Sequence, residues 1–294
     1  MGKAETASAR AMPSSNGWHD RLAEWSVYAV ALLISAVFLW ILGDLARGGI
    51  EHLSWSFLLD PPQNAGRGGG IGSILVSTIL VLLIALVVAL PLGWAAAVML
   101  AEYVSSGSRF GYTVRNSLQI LAAVPSIVFG LFGNAFFSIY LGLGFSILSG
   151  GLTLACMLLP ILVSTAEAGL RALPDTYRSS AVALGMSRGA TVFHVLLPAA
   201  APALVAGLLL GIGRAMAETA ALLFTSGYVD RMPGSLLDSG RTLAVHIFDL
   251  SMNIPGGDVA AHASALVLIV VLLLINLLAM EMATGWQRGK IVTE

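Results

Sequence analysis

The stretch GIGRAMAETAALLF, from Gly211 to Phe224, decides how this chain is read. It sets Arg214 and Glu218 inside an apolar run that begins near Ala199 and ends near Thr225. A charged side chain at bilayer depth costs at least about 2.5–3.5 kcal/mol on insertion scales, so two of them in one span call for a reason. The surrounding composition says that a bilayer is the right setting. Of 294 residues, 57% are hydrophobic and 11% charged. A soluble domain is about a quarter charged, so the chain is an integral membrane protein. A net charge of −1 excludes the basic footprint of a nucleic-acid binder.

Working outward from that run, six stretches are long and apolar enough to span, at roughly 25–43, 71–101, 117–140, 147–166, 199–225 and 261–284. The sequence thus predicts an all-α polytopic protein with six transmembrane helices. The second stretch contains Pro91 and Gly93 and is expected to be tilted or kinked. The division between the third and fourth, near Leu141–Gly151, carries only Gly and Ser as signals. Four regions follow: a disordered tail over 1–24, a first helix with its exterior loop over 25–70, a transmembrane domain over 71–284, and a tail over 285–294.

Six spans put both ends on one side, and Lys/Arg counts choose the side. The N-tail, 102–116, 167–198 and the C-tail hold ten; 44–70 and 226–260 hold four. The first set is assigned to the cytoplasm. The exterior segments are rich in Asp and are either docking surfaces or plain solvated loops. Gly2 with Thr6 fits a myristoylation pattern, a match read as chance.

On an ideal helix, Gly207, Gly211, Arg214, Glu218 and Thr225 share one face. Ala203, Gly207, Gly211 and Ala215 form a row of small residues that lets another helix backbone approach. The spacing of Arg214 and Glu218 at i, i+4 allows an internal ion pair, which could fix packing or hold an anion-binding guanidinium. Ser126 follows Pro125 in the third stretch. Its hydroxyl can satisfy a carbonyl freed by the proline or donate to an anion.

The segment 167–198 is the longest cytoplasmic connection. Pro174 and Asp175 precede TYRSSAVAL and Gly185 follows, the signature of a short capped helix. A second helical run from Ser187 to Leu197 is expected to close at Pro198. The short helix either docks on a soluble subunit or lies on the membrane.

Here the residues resemble the binding-protein-dependent permeases of bacterial ABC importers, whose cytoplasmic loop reads EAA, three residues, Gly, nine residues, I-x-L-P. This chain has Ser179, Ser180, Ala181, then Gly185, then Val195, Leu196, Leu197 and Pro198 at those spacings. Ser179 stands where the family has an acidic residue, and Arg178 and Glu167 are the neighbouring charges that could replace it. Pro91–Tyr103 (PLGWAAAVMLAEY), Val124–Gly133 (VPSIVFGLFG) and Arg214–Thr225 (RAMAETAALLFT) further resemble the PstA-type phosphate permeases. Ala217 and Ala221 replace that branch's Gly and Pro.

The resemblance implies a type I ABC importer permease fold in the cytoplasmic (inner) membrane, with both termini cytoplasmic. It implies phosphate as substrate, a homologous second permease chain, two ATPase chains carrying ATP and Mg, and an extracytoplasmic phosphate-binding protein. Arg214, Glu218 and Ser126 would then line the substrate path. Arg178, Ser179, Ser180, Ala181, Gly185 and Pro198 would couple to the ATPase. Gly207 and Gly211 would pack helices.

The chain itself has no P-loop, HExxH or GxSxG, and its five histidines show no metal spacing, so no metal or cofactor is expected on it. Cys156 reads as a small buried hydrophobe. The alternatives are the same architecture carrying sulfate or molybdate, and a membrane enzyme acting on lipid phosphate.

Overall fold

The computed structural model describes residues 17–105 and 107–291. The myristoylation pattern and most of the expected N-terminal tail lie outside them. The chain divides into two units, the first ending at Arg47 and the second starting at Gly48. α1 (Gly17–Gly49) belongs to the first unit up to Arg47 and starts inside what the sequence assigns to the tail. From Arg21 to Trp40 its side chains are exposed around the whole circumference of the helix.

The second unit opens with a short helix, α2 (Trp55–Leu59), started by Ser54, whose hydroxyl accepts from Phe57 N. A two-stranded antiparallel hairpin follows, β1 (Pro62–Gln63) with β2 (Gly68–Gly69), in the register Pro62 to Gly69. Then comes α3 (Gly72–Val98), which runs through Pro91 and ends in a π turn at Met99–Tyr103. After it come α4 (Arg109–Ala123), α5 (Ser126–Gly133, continued as a π segment to Tyr140) and α6 (Ile147–Arg171). The chain continues as α7 (Asp175–Ala183), α8 (Arg188–Thr191), α9 (Leu197–Met216), α10 (Ala220–Leu223), α11 (Leu243–Met252) and α12 (Asp258–Ile291).

Among the described residues five helices are long and apolar enough to cross a membrane, and α4 with α5 makes a sixth if that pair counts as one span. The third predicted stretch is therefore not straight. Pro125 lacks an N–H and disfavours the α region for Val124, and the two halves meet at 99°. The expected stop at Pro198 is also corrected. Pro198 sits in the first turn of α9, and a π turn at Val192–Leu196 joins α8 to α9. The wider turn removes the clash between a proline ring and the carbonyl four residues back, so the helix continues.

The central element is α6, with two thirds of its apolar window buried. Leu154, Leu158, Leu162, Ala166 and Leu170 recur every four residues and are all buried. On one side α3 packs so closely that Gly93 faces Leu162 and Gly151 faces Ile84. On the other, the small row of α9 works as the spacing predicts. A Cβ at Gly207 would collide with Thr165, one at Gly169 would collide with Ala203, and Gly211 lies against Leu158 and Leu162. Lipid tails are as apolar as leucine, so this close fit, rather than removal from water, holds the helices together. At the end of α3 remote from α7, Ile71 and Ile74 meet Leu243, Ala263 and Val267 in a separate apolar cluster.

Candidate functional site

The helix bearing Arg214 ends sooner than the apolar run does. α9 stops at Met216, Ala217 and Thr219 are outside regular helix, and α10 restarts at Ala220. The i, i+4 geometry that would pair Arg214 with Glu218 is thus lost, and no such pair exists among the described residues. The carboxylate instead serves the break. Glu218 is buried, and its Oε1 accepts from Ala221 N at 3.1 Å, satisfying an amide that the first turn of α10 leaves without a helical partner. Arg214 is exposed and makes no hydrogen bond or ion pair among the described residues. A cation in the last turn of a helix sits favourably on its negative end, which compensates part of its cost.

Ser126 is the first residue of α5, directly after the 99° bend, and is half-buried. The Gly130 backbone lies against Ala221, where a Cβ would meet the Ala221 Cα at 2.8 Å. Gly133 faces Thr153 and Thr225. Each helix break, at Val124–Pro125 and at Ala217–Thr219, is about one helical turn from the α5–α10 contact. Irregular backbone at membrane depth is tolerated only where protein or a water-filled cavity covers it.

At the other end of the spans, α7 is the capped helix that the sequence predicts. Gly185 has φ +73°, its N–H reaches Val182 O, and Met186 N reaches Ala181 O. That pattern closes the helix and requires a left-handed residue, which glycine supplies. Ser179 and Ser180 are exposed, Ala181 is buried, and Tyr177, Val182 and Leu184 are exposed apolar side chains, of which Tyr177 and Leu184 lie on one side.

Arg178 points inward. Its Nε and Nη2 donate to the two carboxylate oxygens of Glu102, at 3.1 and 2.7 Å. The rest of the guanidinium donates to Leu170 O, Leu173 O and Asp175 Oδ1. Glu102 thereby holds the Arg178 pKa above the ordinary arginine value. Glu167 is likewise no surface group. It is buried, and Oε1 accepts from Arg115 Nε at 2.7 Å and Arg171 Nε at 2.8 Å. Both arginines also donate to Leu100 O, one of the carbonyls left free where α3 ends. Neither Arg178 nor Glu167 thus offers the missing acidic contact of the Ser179 position.

A further polar group went unread in the sequence, which shows His246 only as one of five scattered histidines. In α11, His246 is fully buried, and its Nδ1 faces Arg241 Nη1 at 3.5 Å. Arg241 also pairs with Asp249 at 3.1 Å and donates to Tyr228 O. Gly66, at φ +90°, lies where any side chain would strike the His246 ring. Burial first, and the Arg241 charge second, push the His246 pKa down to about 4, with Asp230 and Asp249 opposing. The glycine-rich entry to α3 was the only signal, because it admits the close approach of a ring.

The sequence profile of binding-protein-dependent transport system inner membrane components matches residues 89–284. The probable ABC transporter permease protein YqgI of Bacillus subtilis is 31% identical, over 90% of this chain and 95% of its own. The phosphate transport system permease protein PstA of Yersinia pestis is 33% identical, over 86% of each chain. Among solved structures, a chain of the bacterial alginate ABC transporter aligns with a TM-score of 0.63 at 15% identity, over 90% of this chain and 96% of that one. One of the MetNI methionine ABC transporter aligns at 0.57 and 18%. These last two speak to fold alone, the type I importer permease fold. With the bent α4–α5 pair, the broken α9–α10 path and the capped α7 in place, the chain belongs to the inner membrane components of binding-protein-dependent transport systems, as a multi-pass permease subunit that is not itself an ATPase.

Proposed function

We propose that this chain is one half of the pore of an ATP-driven importer that carries inorganic phosphate across the cytoplasmic membrane by alternating access. One observation carries the proposal: the exposed guanidinium of Arg214, at the end of a broken span and without a partner among the described residues. An arginine kept in an apolar run and left unpaired is costly unless an anion or water meets it in use. Guanidinium suits phosphate, because its planar fork of donors matches two phosphate oxygens. The PstA relative is named for phosphate transport, which supports the same substrate.

In this reading Arg214 and Ser126 donate to the passing anion. Glu218 has one oxygen engaged with Ala221 N and a second with no hydrogen-bond partner among the described residues. That second oxygen accepts from the P–OH that phosphate keeps at neutral pH, and repels sulfate, which has no proton to give. A homologous second chain completes the pore, and a phosphate-loaded binding protein delivers to the side opposite α7. Two ATPase chains holding ATP and Mg meet the α7 face around Ser179, Ser180 and Ala181, with both termini in the cytoplasm. Gly185 shapes that helix, and Pro198 starts the span behind it.

Radiolabelled phosphate uptake in cells with and without this chain tests the substrate, with unlabelled sulfate and molybdate as competitors. Uptake should require the chain and resist both competitors. Loss of uptake to equimolar sulfate or molybdate would move the substrate to that oxyanion.

A further inference from the structure

Arg178 precedes the Ser179–Ala181 docking segment and would be read as part of it. Its hydrogen bonds argue otherwise. A guanidinium has five N–H donors and no acceptor. In this chain all five are used internally: two on Glu102, and one each on Leu170 O, Leu173 O and Asp175 Oδ1. None is left for a partner chain.

The acceptors belong to particular elements. Glu102 lies in the π turn that ends α3, while Leu170 O is in the last turn of α6 and Leu173 O just beyond it. One side chain of α7 therefore caps the adjoining ends of the two most closely packed helices of the chain. The ends are themselves tied together, because Arg115 and Arg171 each bridge Glu167 of α6 to Leu100 O of α3. Behind this hub, α6 meets α9 at Gly169, Gly207 and Gly211, contacts too close for sliding past an added methyl. Elsewhere α7 offers mainly exposed side chains; Ala181 is its buried residue.

We propose that Arg178 and Glu102 are positioning residues: a joint that turns displacement of α7 into displacement of the α3–α6 pair, and through α6 of the helix carrying Arg214. The inference rests on reading α7 as the helix that a nucleotide-binding partner moves. It separates two tasks within one short helix. The exposed Ser179 and Ser180, with Tyr177 and Leu184, receive the partner, and the inward Arg178 passes the motion on. A paired fork is suited to this, since two parallel bonds fix direction as well as distance.

The test is the assembled transporter in proteoliposomes, read as phosphate moved per ATP hydrolysed. The variants are Glu102→Gln, which keeps size but loses charge, and Arg178→Lys, which keeps charge but has three donors for five acceptor contacts. Each should lower the ratio about tenfold or more, the factor that one lost charge-assisted hydrogen bond represents. ATPase chains should copurify as in wild type and still hydrolyse ATP when loaded binding protein is added. A purely structural role would lower the yield of complex and leave the ratio of surviving complex unchanged, which overturns the proposal. Loss of the ATPase chains from Arg178→Lys alone would also overturn it, by making Arg178 a partner contact.

Should neither variant assemble, hydrogen exchange on the wild-type complex decides. ATP binding should change amide exchange in α7 and in Met99–Tyr103 together, and a change confined to α7 refutes the joint. If wild type hydrolyses ATP but moves no phosphate, the substrate reading has failed instead, and hydrogen exchange still judges the joint.

Discussion

Arg178 and Arg214 are the same residue type in opposite states. The first has every donor bonded, and the second has none bonded among the described residues. The difference follows from neighbours: Arg178 meets Glu102, Asp175 and two carbonyls at the end of α6, whereas the carboxylate nearest in sequence to Arg214 is occupied in starting α10. Sequence spacing alone pairs Arg214 with Glu218, because it assumes an unbroken helix. Nothing in RAMAETAALLFT, which lacks both Gly and Pro, announces that α9 ends at Met216. The bend before Ser126 was more legible, since Pro125 marks it. The capping role of Glu218 makes a stability prediction. Glu218→Ala should lower stability in detergent by about 1 kcal/mol, the usual worth of a lost cap. Glu218→Gln, which keeps a side-chain oxygen for Ala221 N, should melt like wild type. Thermal unfolding of both variants checks this, and equal melting of all three proteins would show that Glu218 does not cap α10.

Glycines act at the scale of elements, and for two distinct reasons. Gly207 is required by space: a Cβ there meets Thr165, and Gly207→Val should cost about 1–3 kcal/mol by overpacking the α6–α9 contact. Gly185 is required by conformation: φ is +73° with nothing within 4 Å, so Gly185→Ala should cost about 1 kcal/mol, confined to the end of α7. Melting curves together with hydrogen exchange on α7 distinguish the two, since only the second variant should loosen α7 selectively. The small row and the Gly185 cap were both visible in sequence, because each depends on spacing within one element. The α11 polar group was not, because Gly66, Arg241 and His246 meet only after folding. With a folded pKa near 4 against an ordinary value of 6.5, His246 is neutral when folded, and the unfolded chain takes up a proton first as pH falls. Stability should therefore drop between about pH 6.5 and 4, by about 3 kcal/mol for this group. Melting of His246→Gln over the same range should be flatter, and a slope equal to wild type would contradict the assignment.

For the whole molecule, six apolar stretches gave the right count of crossings only if the bent pair is one of them. The hydropathy of a run does not record a 99° turn inside it. What the sequence could not carry is the hub at the end of α3. It gathers Arg115, Arg171 and Arg178 from three helices whose adjacency is a tertiary fact. Sidedness is open to a direct test, because Cys156 is the one cysteine. In a Cys156→Ala background, Ser179→Cys should react with a membrane-impermeant maleimide only in inverted vesicles. Met232→Cys should react in intact spheroplasts. The opposite pattern would reverse the assigned orientation.

In the proposed function Arg214 acts on the anion and not on Glu218. Radiolabelled phosphate uptake by wild type, Arg214→Gln and Arg214→Gln/Glu218→Gln, at matched expression, measures it. With no Arg214–Glu218 pair to relieve, the single change should abolish uptake and the double should fail to restore it. Recovery of uptake in the double variant would make the two charges a structural pair and place the anion path elsewhere.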